Sequence, residues 1–131
     1  MSSKTTATKE NALSKQEIDE RLGATAMARM ATYRPGGMIH LTPIWYFWTG
    51  DVFHLTLGAG RIHLKNLAAD KRVSLLIDED PRLENGIAAG AWAIMCRGNA
   101  ELSQDQELIR EATHAVLGMA LGKEDADAYT E

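Results

Sequence analysis

Residues 38–57 read MIHLTPIWYFWTGDVFHLTL, and the way this stretch folds decides the class of the whole chain. Ile39, Leu41, Trp45 and Phe47 alternate with His40, Thr42, Ile44, Tyr46 and Trp48, which predicts an extended strand over 38–49. Both faces of that strand are largely apolar, so both are expected to be covered. Pro43 lacks a backbone donor, so the ladder is expected to be broken there or to lie at an edge. Thr49-Gly50-Asp51 has the composition of a hairpin turn, and residues 52–57 supply a returning strand. A long strand that folds back through a tight turn predicts antiparallel pairing.

Working outward, Ser14 and Glu17 stand at capping-box spacing before Ile18 and Leu22, which predicts a short helix over 15–22 stopped by Gly23. Residues 25–33, TAMARMATY, predict a strand. In the RPGG of 34–37, Pro35 and Gly36 suit a type II turn. Downstream, 61–70 predict a short helix with Leu64, Leu67 and Ala68 toward the core. Residues 72–78 predict a strand and 79–90 a loop. A long strand follows over 91–102, with Gly98 marking a bend or bulge. Residues 104–118 repeat Leu108, Ile109, Ala112, Ala115 and Val116 at helical spacing, and the tail KEDADAYTE reads as a weak acidic helix or a frayed end. Residues 1–12 predict a flexible arm, and 13–131 one domain.

This order predicts a mainly β, α+β chain: a small antiparallel barrel with peripheral helices. So short a chain has little left to cover an outer apolar face. Strand 38–49 is therefore expected to bury one side against a second copy, as a homodimer.

The 131 residues carry a net charge of −4, which argues against nucleic acid or an anionic membrane surface as a general partner. No apolar run approaches the roughly 20 residues of a membrane span. The N-terminus has no apolar leader, and Cys96 stands alone, so a reducing cytoplasm is the expected compartment.

Within this acidic chain, residues 56–67, TLGAGRIHLKNL, concentrate positive charge. Gly58 and Gly60 allow close backbone approach, and a helix starting near Arg61 aims its positive end at the same place. The Arg61 fork suits phosphate oxygens, Lys65 shares its helix face, and Asn66 and Thr56 can donate nearby. An anionic small ligand answers this pattern; solvated surface cations after a glycine loop answer it equally. His63 read alone is an ordinary polar partner. His40 and His54 have no carboxylate or cysteine at metal spacing, so no metal site is expected. No Ser-His-Asp or Cys-His set is visible, and the methionines and tryptophans read as core or subunit interface.

Three segments together resemble the pyridoxamine 5'-phosphate oxidase-like family of flavin-binding split β-barrels. They are residues 28–51, with a strand, a turn and an H-x-x-P-hydrophobic-W strand; residues 56–78, with Thr, Gly-Arg, a basic position, Asn-Leu and an R-V-S-L strand; and residues 97–102, RGNAEL. The resemblance implies a split barrel of about six strands that dimerises around two flavin-type cofactors. It implies a phosphate at Arg61 and the basic residues after it, His63 and Lys65, and a ring along Thr42, Pro43, Ile44, Leu55 and Thr56. Trp45 is expected at the interface. Many members have Lys where this chain has His63, and a further C-terminal strand where this chain has none in evidence. The implied function is an FMN-dependent oxidoreductase acting on a small substrate. The same fold also serves the deazaflavin coenzyme F-420, and non-catalytic carriers of flavin or haem form the remaining class.

Overall fold

The computed structural model describes residues 12–58, 60–79, 82–84 and 87–122. The arm expected before residue 13 (Ala12 apart) and the tail 123–131 lie outside these residues. Helix α1, Lys15–Ala24, opens on the expected capping box: Ser14 Oγ accepts from the Glu17 N–H, and the Glu17 carboxylate accepts from the Ser14 N–H. It runs one residue past Gly23 and ends at an extended Thr25. Strand β1, Met27–Tyr33, turns into β2, Ile39–Trp48. In the turn Gly37 N–H donates to the Arg34 carbonyl at 3.0 Å, and Gly36 takes a φ of 92°, which a type II turn requires of that position.

Strand β3, Phe53–Leu55, is shorter than the predicted 52–57. Helix α2, Ile62–Ala69, leads to β4, Arg72–Glu79. The predicted loop 79–90 instead holds a two-stranded ribbon, β5, Arg82–Glu84, and β6, Ile87–Ala89. Strand β7, Trp92–Asn99, and helix α3, Gln106–Leu121, complete the order. The expected bulge at Gly98 is absent: β4 and β7 pair in unbroken register, with Val73 opposite Gly98. The Asp105 carboxylate accepts from the Glu107 and Leu108 N–H groups and fixes the start of α3.

Five strands form one antiparallel sheet in the order β3-β2-β1-β4-β7, curled into half a barrel, with three helices around it. The fold is α+β and antiparallel, and its strand number is close to that expected of the barrel. Among the described residues only one sheet face is well covered. Ala28 and Met30, Ile44 and Tyr46, Val73, Leu75 and Ile77, and Ile94 point to that face and join Leu22 and Leu67 in the core. Leu67 is the only member of the predicted α2 stripe that is fully buried; Ala68 is exposed and Asn66 goes inward instead. In α3 the buried pair is Val116 and Leu117, while Leu108 and Ile109 are exposed. The opposite sheet face shows Ile39, Leu41 and Trp45 of β2 beside Met27, Leu76 and Met95.

Candidate functional site

The site is built by β2 and by the segment that leaves β3 and enters α2. Strand β3 pairs with β2 only at Tyr46, Phe47 and Trp48. The Tyr46 N–H donates to the Ala26 carbonyl at 2.9 Å, so Ile44 and Thr42, at steps of two, also turn their backbone polar groups toward β1. Pro43 therefore turns its nitrogen and carbonyl the other way, where β2 has no strand partner among the described residues. The residue without a donor sits at an open edge, as its chemistry requires. Its carbonyl accepts from the Thr42 hydroxyl at 3.3 Å.

Beyond Leu55 the chain turns away from β2. The Gly58 carbonyl accepts from the Arg61 N–H at 3.2 Å, and Gly60 takes a φ of 79°. A Cβ on Gly58 would stand 3.3 Å from Arg61 Cγ and 3.7 Å from its Nε. The arginine stem thus lies back across the glycine. Arg61 is also the N-cap of α2 and supplies no side-chain cap, so no cap satisfies the first N–H groups of the helix. Among the described residues neither the Arg61 guanidinium nor the Lys65 ammonium has a hydrogen bond or an ion pair.

His63, half-buried one position into the helix from Ile62, faces His40 of β2 with ring centroids 6.4 Å apart and planes 27° from parallel. Burial, and then the neighbouring His40 ring and Arg61 guanidinium, hold the His63 imidazole below the usual histidine range. His40 Nδ1 is buried without a hydrogen-bond partner among the described residues. His40 was absent from the sequence-derived set. The signal lay in the alternation of β2, which puts residues 40, 42, 44 and 46 on the covered face together.

Other expected members fall differently. Asn66 is buried, and its amide donates to the Thr32 hydroxyl at 3.1 Å, so its side chain ties α2 to β1 rather than facing the open edge. Ile44 gives its side chain to the core and its backbone to β1. Thr42, Leu55 and Thr56 are half-buried, and Pro43 is exposed. Among the described residues no three His, Cys, Asp or Glu side chains gather as a metal-binding set. A separate hollow of about 370 Å³ lies where β4 ends and β7 begins, lined by Arg21, Glu79 and Trp92 among others. It is remote from the Arg61 loop along β4, and the carboxylates of Glu17, Glu20 and Glu79 on its walls give it a different character.

The group around Arg61 offers a guanidinium, an ammonium, an imidazole and uncapped helix N–H groups, and among the described residues no carboxylate acts on His63. This set repels a cation and fits an oxyanion such as the phosphate end of a nucleotide. The sequence model of pyridoxamine 5'-phosphate oxidase matches residues 14–128.

The chain belongs to the pyridoxamine 5'-phosphate oxidase family.

The match takes in α1, every strand and α3 of this family member. No curated protein matches its sequence. Among solved structures, a conserved hypothetical protein from Mycobacterium tuberculosis superposes with a TM-score of 0.80 at 23% identity, over 97% of this chain and 80% of the other. HutZ, a haem storage protein from Vibrio cholerae, gives 0.65 at 18% identity, over 88% and 80%. A FAD-binding protein from Mesorhizobium loti gives 0.62 at 22%, over 89% and 80%. At these identities the likeness establishes a common fold.

Proposed function

We propose that this family member is a flavin-dependent oxidoreductase that holds FMN by its phosphate at Arg61, in a groove completed by a second copy of the chain, and acts on a small substrate. The observation that carries the reading is the Arg61 side chain laid across Gly58, its guanidinium without a partner among the described residues, in a neighbourhood of donors. Lys65 and His63 add donors to the same anion. The open β2 edge at Thr42 and Pro43, with Leu55 and Thr56 beside it, borders the ring; Ile44 supports that edge from within. A bound flavin supplies the hydride or electron transfer itself. The chain anchors, orients and keeps water out, and we assign it no acid, base or nucleophile.

The second copy is supported by the uncovered sheet face. Leu41 is 71% exposed and Ile39 60%, an unusual display of large apolar side chains for a solvated surface. Cys96 is a free thiol, which suits a reducing cytoplasm; among the described residues no helix is long and apolar enough to cross a membrane.

The deazaflavin coenzyme F-420 would use the same Arg61 anchor, but the carboxylates of its tail ask for a further basic groove that the sequence does not display. A flavin or haem carrier is the second reading, favoured by the likeness to a haem storage protein and a FAD-binding protein. The absorption spectrum and the identified ligand of the purified protein separate these. Flavin bands bleached by a reduced nicotinamide support the enzyme. A Soret band supports haem carriage, and uptake of F-420 without FMN reverses the order of cofactors. Arg61→Ala should weaken FMN binding by about 1.5–3 kcal/mol, the worth of a hydrogen bond to a charged group. Unchanged affinity would remove Arg61 from the site.

A further inference from the structure

His40 and His63 come from different elements, β2 and α2, yet their rings face each other at 6.4 Å beside Arg61. Two imidazoles and a guanidinium crowd one spot. The charged and titratable groups acting on His63 are His40 from β2 and Arg61 from the start of its own helix; Lys65 follows two residues on. From β1, the strand on which α2 packs, the group facing the helix is the uncharged Thr32, bound to Asn66. Among the described residues no carboxylate balances this cluster. Among the described residues His40 Nδ1 is buried without a hydrogen-bond partner, so none of them closes the pair at that nitrogen.

We infer that the histidine pair makes the anion site proton-linked: an oxyanion seated at Arg61 is gripped with uptake of one proton by His63, with His40 as the ring that backs it. This deepens the proposed function and rests on Arg61 being the anion anchor. Without an anion, burial, and then His40 and Arg61, disfavour the charged form of His63. An oxyanion placed among the same groups reverses the local potential. His63 then takes a proton from water and donates from a charged nitrogen, which shortens and strengthens the contact. When the anion leaves, the proton returns to water. His40, its ring facing the same imidazole at 6.4 Å, backs it from the β2 side. A lysine at position 63 would stay charged throughout and lack this linkage.

The test uses sulfate, which does not titrate near neutral pH, and FMN, on the full chain freed of ligand. The four histidine ring resonances are followed by NMR from pH 5 to 8, with and without saturating sulfate. Sulfate should raise the titration midpoint of His63, and its affinity should fall as pH rises, by about tenfold per unit at the steepest, the limit for one coupled proton. His63→Lys should bind sulfate with no such slope, and Arg61→Ala should abolish both binding and shift. Sulfate or FMN that binds in an Arg61-dependent way while the His63 midpoint stays fixed overturns the proton linkage and spares the anchor. No Arg61-dependent binding of either at pH 6 overturns the anchor and the linkage together.

Discussion

Tyr46 is fully buried, and its hydroxyl donates to the Leu22 carbonyl at 2.8 Å and lies 2.7 Å from the Thr25 hydroxyl. One phenol thus joins the end of α1 to the last part of β2, and burial pushes its own titration upward. Tyr46→Phe leaves a buried carbonyl unpaired, so urea unfolding should show a loss of about 1–3 kcal/mol. His63 gives a pH effect of definite sign. Its folded imidazole is held below the ordinary 6.5, so the unfolded chain binds that proton first as pH falls. Stability should be full above 6.5, decline as pH drops through it, and level off below the depressed folded value. His63→Gln should flatten that part of a stability profile measured between about pH 7 and pH 5. An equal decline in both proteins would show that His63 does not contribute. At this scale the sequence placed Arg61 directly after a two-glycine loop and at the start of a helix, and the structure keeps it there as the N-cap of α2. The place of His40 was not legible, because its partner sits on a helix more than twenty residues away.

Elements carry the rest of the site. The loop from Leu55 to Arg61 works through what it omits. Gly58→Ala sets a Cβ 3.3 Å from Arg61 Cγ, and the flexible arginine side chain must give way. We expect near-normal thermal stability and FMN affinity lowered by about 1 kcal/mol or more, since the anchor loses its resting place. Unaltered affinity would show that the stem position is immaterial. The hairpin of β1 and β2, the α1 capping box and the Gly36 turn were all readable because each depends on neighbours in sequence. The ribbon of β5 and β6 was not, since two strands of three residues around a glycine have the composition of a loop. Gly98 misled for the opposite reason: a glycine in a strand permits a bulge, but the register with Val73 is set by the whole length of β4. Ala68 and Asn66 exchanged their expected places because the Thr32 hydroxyl gives a buried amide its partner, which a helical stripe of apolar residues cannot reveal.

Across the whole molecule, β2 divides its sides unequally. Its inner residues meet the core, and among the described residues its outer Ile39 and Leu41 stay largely exposed and Trp45 partly so. The sequence showed that both faces want cover but could not show that half a barrel supplies only one. Light scattering after size exclusion should find two copies per particle. Leu41→Arg should shift the protein toward one copy, by about 2 kcal/mol or more in association, because it puts a charge at the centre of the buried patch. A wild-type protein that runs as one copy at high concentration would end the dimer proposal.

The strand order also bears on how the chain reaches its final form. β4 lies against β1, with β2, β3 and α2 intervening in sequence, and Arg29 meets Leu76 across that long closure. Local hairpins form early, whereas distant pairings wait for an unfavourable loop to shut. Asn66 can reach Thr32 only once this crossover is in place, and Arg61 travels at the start of the same helix. On the proposed function, a nascent chain has nothing with which to capture a cofactor; loading would belong to the finished protein, which would gain kinetic persistence from it rather than guidance along the way.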